Sequence, residues 1–167
     1  MKPRHPRRRR PFRTFLILLA ILVLGAGFVR WDNTALQVTR FQPVFARLPD
    51  GFDGCRVAVL SDLHGAVFGE NNATLFETVA AESPEYIFYL GDLEDRYRGP
   101  VPGYAETVAE GLTAIAPTYY VTGNHEWAIG GVPELKERLR ARGVQVLSNQ
   151  YTALERNGDT IILAGID

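Results

Sequence analysis

Three strand-like runs in this chain end in the same way, and that repetition limits its fold more than any other feature. "VLSDLHG" leaves Asp62 and His64 beyond its apolar residues, "YLGDLED" leaves Asp92 with Glu94 and Asp95 behind it, and "VTGNHE" leaves Asn124, His125 and Glu126. Asp62 to Asp92 is a step of 30 residues and Asp92 to Asn124 one of 32, about the length of a strand-helix-strand unit. A chain that returns to the same edge of a sheet at each step brings these groups together at the carboxyl ends of adjacent parallel strands, where open α/β sheets bind ligands.

The segments between them support that reading. "CRVAVL" (55–60), "YIFYL" (86–90) and "APTYYV" (116–121) are short apolar strands. The run over 72–83 sets Leu75, Phe76, Val79 and Ala80 on one helical face, and that over 103–115 does the same with Ala105, Val108, Ala109 and Leu112. Pro133 suits the first turn of a third helix that Gly143 can cap. "VQVL" (144–147), "QYTALER" (150–156) and "TIILAGI" (160–166) follow, the last two joined by Asn157-Gly158, a hairpin signal. Strand and helix in strict turn predict an α/β fold with a largely parallel sheet. Ahead of it, Leu36, Val38 and Phe41 suggest an opening strand, and "LPDGFDG" a turn.

Asp, His, Asp, Asn and His at one sheet edge, with no thiol and few cations near them, form a donor set suited to divalent ions. Two carboxylates in close contact repel unless a proton or a metal lies between them, and mixed imidazole, carboxylate and amide donors suit Mn, Fe or Zn. Gly65, Gly91 and Gly123 beside these groups allow tight turns and close backbone approach. Each fragment alone has a plainer reading: Asp-x-His as a surface accident, Gly-Asp as a turn, Asn-His after glycine as the cap of a helix. Their shared context and even spacing favour a site.

The amino terminus carries a different signal. Seven of the 18 basic residues lie in the first 13, with no acid among them, and "FLILLAILVLGAGFV" follows from Phe15 to Val29. From Phe12 to Trp31 the stretch reaches the roughly 20 residues that span a bilayer as a helix. It reads as a signal anchor or as a cleaved signal peptide; the sparse cleavage signal, Gly25-Ala26-Gly27, favours the anchor. The positive-inside rule then keeps 1–13 in the cytoplasm and sends the rest across the membrane. "RRPF" at 9–12 also resembles a twin-arginine export signal. Beyond residue 13 the balance is 11 basic against 19 acidic residues, a net of -8, which argues against nucleic acid as a partner. Cys55, the only cysteine, permits no intramolecular disulfide and reads as a small buried apolar residue.

Asp62-x-His64, Gly91-Asp92 and Gly123-Asn124-His125-Glu126, in that order and each after a strand, resemble the first three motifs of the calcineurin-like metallophosphoesterases. The basic tail, the membrane segment and "SDLHG" followed by "FGENN" resemble more narrowly the membrane-anchored bacterial branch of that family. The resemblance covers residues 55–167. It implies a four-layer α/β/β/α sandwich with a two-metal centre at the strand ends. Carried over by position, Asp62 and His64 would hold the first metal, Asp92 would bridge both and Asn124 would hold the second; His125 would face the phosphate and the leaving oxygen. Glu126 receives no role. Asp95-Arg96 matches the Asp-Arg of the protein-phosphatase branch, where the arginine contacts phosphate; a solvated loop charge is the other reading of Arg96.

The activity so implied is phosphomonoester or phosphodiester hydrolysis. Two cations about 3.5 to 4 Å apart lower the pKa of a shared water and neutralise the phosphoryl oxygens. At an outer membrane face, a lipid-linked or cell-wall phosphoester would be the substrate. Family members carry a further His and then Gly-His-x-His, whereas this chain has only His5, His64 and His125. It is therefore read as the N-terminal part of a longer protein: a basic tail (1–13), a membrane anchor (14–31), a lead-in strand and turn (32–54) and the first part of the metallophosphoesterase domain (55–167). The alternative is a catalytically inactive, membrane-tethered binding module of the same fold.

Overall fold

The computed structural model describes residues 10–32 and 35–167. Of the basic tail expected over 1–13, residues 1–9 lie outside the described residues. The chain divides into two units, one ending at Thr39 and one from Arg40 to Asp167, and each is described by itself.

The first unit is built around α1, Arg10–Asp32. Its Pro11–Val29 stretch of 19 residues is long and apolar enough to cross a membrane, with none of it buried. Phe15, Leu22, Leu24 and Phe28 are all exposed, so the helix is apolar all round and has no core to face. That arrangement fits a membrane anchor or a signal sequence and not a surface helix.

In the second unit a four-stranded sheet in the order β1-β2-β3-β4 is formed by Val57–Leu60, Tyr86–Tyr89, Thr118–Tyr120 and Gln145–Val146. All pairings are parallel. Helices α2 (Ala73–Ala81) and α3 (Tyr104–Thr113) connect the first three strands, and a pair, α4 (Asn124–Ile129) and α5 (Val132–Arg140), connects the third to the fourth. Right-handed crossovers between sequential neighbours put the connecting helices on one face. Ile87, Tyr89, Thr118 and Tyr120 are buried on that side, with Val108, Leu112, Leu135 and Leu139 among the buried helix residues. Gly111 on α3 admits the ring of Phe76 from α2, for a Cβ there would sit 2.2 Å from its Cζ.

The opposite face carries Tyr86, Phe88, Tyr119 and Val121, which pack with Phe52, Leu147 and Leu154. Leu154 belongs to an antiparallel hairpin of β5 (Gln150–Arg156) and β6 (Asp159–Gly165). Helices, parallel sheet and hairpin thus make three successive layers, the hairpin being a second sheet. Its outward residues Tyr151 and Ile162 are 75% and 62% exposed, so the outer face of the hairpin is open and apolar.

The opening strand expected over 36–41 is not formed: the segment is extended but unpaired, and Phe41, Val44 and Phe45 are exposed. A strand exists only through its ladder partners, and none reaches this segment; Arg40 is instead held by the Glu82 carboxylate, 2.9 Å from its Nε. The mixed α/β architecture with a parallel sheet agrees with the sequence.

Asp167 shows how the layers are tied near the site. Burial works against its charge, but hydrogen bonds from Lys136, Ser148 and Thr122 hold its carboxyl down at about 2. Lys136 Nζ lies 2.6 Å from Asp167 Oδ2 and Thr122 Oγ1 donates to Oδ1 over 2.6 Å. One buried ion pair therefore joins α5, the end of β3 and the exit of β6.

Candidate metal centre

The in-register row Leu60, Tyr89 and Tyr120 starts three loops at the same height. Beyond it the first two loops keep pairing through the main chain: Asp62 N donates to Gly91 O (3.2 Å), His64 N to Asp92 O (3.0 Å) and Gly65 N to Leu93 O (2.9 Å). To do so without the extended geometry of a strand, Asp62, His64 and Asp92 adopt φ of 57°, 49° and 54°. Non-glycine residues in this left-handed region cost of the order of 1 kcal/mol each and collect at functional sites. Gly91 has φ +86°, and a Cβ on it would lie 2.2 Å from the Gly123 nitrogen. The close backbone approach expected at Gly91 and Gly123 is thus present; Gly65 serves only the turn, its nearest neighbour being Val101 at 3.7 Å.

His64, Asp92 and His125 meet there, each offering a ligand atom within 4.8 Å of the others. The two imidazole rings are 4.3 Å apart. Asp62 lies beside them, its Oδ1 3.5 Å from His64 Nε2, with a side chain 61% exposed. Asp92 is buried, and its Oδ1 accepts from the His125 amide over 2.9 Å. His125 Nδ1 accepts from Arg96 N over 3.1 Å, which selects the tautomer with the proton on Nε2. Asn124 is exposed as the first residue of α4. The Arg96 guanidinium lies 4.6 Å over the Tyr97 ring.

The residues fit a cation. His64 Nδ1 is buried without a hydrogen-bond partner, which leaves this imidazole nitrogen with a lone pair or proton uncommitted to the protein. The neighbouring carboxylates, Asp62 and Asp92, supply hard anionic donors.

Glu126 is what the sequence left without a role. It is 1% exposed, and its carboxylate accepts four backbone N–H groups: Asp92 (2.9 Å), Leu93 (2.7 Å), Glu94 (3.2 Å) and Gly123 (2.7 Å). Such a set compensates a buried charge without a cation. Glu126 therefore fixes the second and third loops to each other, through Asp92 and Gly123. The signal was present: Glu126 stands three residues after Gly123, the position from which a glutamate reaches back to cap a helix start.

Glu94, next to these donors, is 4% exposed, with Oε1 unpartnered and the Arg138 guanidinium 4.0 Å away. Burial raises its pKa, and Arg138 works against that shift. A raised carboxyl favours the fold at pH below its unfolded value, and that contribution is lost as pH rises through the folded value. Glu94→Gln is therefore expected to raise the melting temperature by a few degrees at pH 8 and to lose that advantage near pH 4; a pH series of thermal melts checks it.

Residues 55–166 match the calcineurin-like phosphoesterase family. A "Transmembrane protein with metallophosphoesterase domain" of Danio rerio is 30% identical over 157 residues, covering 91% of this chain and 35% of that protein. A metallophosphoesterase of Caenorhabditis elegans is 32% identical over 164 residues, 93% of this chain and 33% of its own length. The metallophosphoesterase YkuE of Bacillus subtilis is 25% identical over 153 residues, 86% of this chain and 52% of its own. The chain spans about a third of the length of the first two relatives. Since the family match takes in all three motif loops and both sheets, the chain belongs to the calcineurin-like phosphoesterases.

Proposed function

We propose that the protein is a metal-dependent phosphoester hydrolase anchored in the membrane by α1, with its domain on the extracytoplasmic side. The observation that carries this reading is the convergence of His64, Asp92 and His125 within 4.8 Å, beside an unpartnered imidazole nitrogen of His64. Asp62 and His64 would hold one cation, Asp92 would bridge to a second and Asn124 would complete the second. Divalent cations there would polarise the phosphoryl oxygens and ease deprotonation of a water nucleophile.

His125 acts on the substrate. Arg96 N occupies its Nδ1, leaving Nε2–H as the donor. As water adds to phosphorus and the ester P–O bond breaks, the electron pair leaves on the ester oxygen; Nε2–H donates a hydrogen bond to that oxygen and stabilises its developing charge, while the proton lost by the attacking water reaches it through solvent. Orientation of the ring comes from that Arg96 bond and from its own amide on Asp92. Anchorage rests on α1 and on the basic run before it, with the name of the Danio rerio relative as analogy; a lipid-linked or cell-wall phosphoester is the substrate such an address suggests. The exposure of Asn124 favours the other reading, an inactive tethered binding module.

The protein expressed from its complete coding sequence should hydrolyse bis-p-nitrophenyl phosphate or p-nitrophenyl phosphate. Chelation should reduce the rate to background and manganese, iron or zinc should restore it. Hydrolysis indifferent to chelation, or none with any of these ions, would sink the hydrolase reading.

A further inference from the structure

We propose that Tyr97 is a specificity-determining residue that takes an aromatic ring on the leaving group of the substrate. The inference rests on the hydrolase reading above. A single exposed tyrosine is ordinary on a protein surface, but this one is held and placed in a way that surface residues are not. Asp95 closes the turn beneath it: Gly99 N donates to Asp95 O over 2.8 Å, Tyr97 N donates to Asp95 Oδ1 over 2.9 Å, and Arg98 Nε lies 3.3 Å from Asp95 Oδ2. The same Asp95 carboxylate stands 3.6 Å from His125 Nδ1, so the turn that carries Tyr97 lies against the imidazole.

The Tyr97 ring meets His125 edge to face, with centroids 5.9 Å apart and planes at 80°. It is also covered by the Arg96 guanidinium at 4.6 Å. Even so Tyr97 is 77% exposed, which leaves ring surface open beside the group that meets the ester oxygen. A leaving group whose oxygen sits at His125 extends from there onto its neighbours, and the aromatic neighbour on the open side is Tyr97. An offset or edge-to-face ring pair favours an aromatic group by roughly 2- to 10-fold over one that only fills space.

The test uses phosphonates as stable mimics of the ester. In the protein expressed from its complete coding sequence, phenylphosphonate should inhibit aryl phosphoester hydrolysis roughly 10-fold more strongly than methylphosphonate. Tyr97→Ala should bring that ratio close to one, and Tyr97→Phe should keep most of it. Thermal melts of both variants check that the fold is intact. A wild-type ratio near one, or a ratio unmoved by Tyr97→Ala, overturns the proposal while the hydrolase reading stands. Absence of metal-dependent hydrolysis in the wild type overturns that reading and the proposal with it.

Discussion

Asp92→Asn is expected to lower metal-dependent hydrolysis by roughly 1000-fold or more, since even the partners behind a metal ligand are worth 10- to 100-fold. The substitution is nearly isosteric. The amide side chain would keep the oxygen that accepts the His125 N–H at 2.9 Å, and the backbone groups that bond to Glu126 and His64 are untouched. What the change removes is one negative charge from a site where Asp62 and His64 already gather, and with it the donor shared by all the cation arrangements considered above. The metal-free variant should therefore melt within a few degrees of wild type, or slightly above it, because crowded carboxylates repel when no cation lies between them. The rise in melting temperature that manganese gives the wild type should be absent, since a ligand stabilises only the state it binds. Activity together with melts in the presence and absence of metal checks both halves. Equal manganese stabilisation in the two proteins would show that Asp92 holds no ion.

Glu126→Gln is expected to cost about 3 to 5 kcal/mol, which for a domain of this size is a fall of roughly 10 to 20 °C in melting temperature. Glutamine has the same shape, so packing is not the issue. Each carboxylate oxygen accepts two backbone N–H groups, Oε1 from Leu93 and Glu94 and Oε2 from Asp92 and Gly123. An amide offers one oxygen and one NH2, and whichever way it turns, two donors face a donor inside a site that is 1% exposed. Amide exchange should quicken at either Leu93 and Glu94 or Asp92 and Gly123, depending on the orientation the glutamine takes. A melt within about 2 °C of wild type would show that water replaces the lost acceptor.

The sheet and its helices were legible because they depend on short-range pattern. Apolar residues at strand and helix periods located β1 to β3, α2, α3 and α5 to within a few residues, and Asn157-Gly158, both at positive φ, placed the hairpin where β5 and β6 are found. The strand expected over 36–41 shows the limit of pattern, since alternation supplies a face but not a partner. α4 was harder to see for another reason: its six residues begin with the polar Asn124 and His125, and only the cap reading of Asn-His after glycine and Glu126 at its third position point to a helix start. The convergence of the three motifs followed from even spacing. The service Glu126 gives to four amides, and the contact of Tyr97 with His125, depend on loops from different strands meeting, which no local signal encodes.

The first two loops are stitched to each other by main-chain groups, from Asp62 N on Gly91 O to Gly65 N on Leu93 O, and the third is held to the second by the Glu126 carboxylate. The shape of the centre is thus separable from the identity of most side chains that point into it. On the hydrolase reading proposed above, it is a socket into which a different donor set could be written, exchanging carboxylate, amide and imidazole at 62, 64, 92 and 124 to retune ion preference, while positions 91, 123 and 126 are the ones such a redesign has to leave alone.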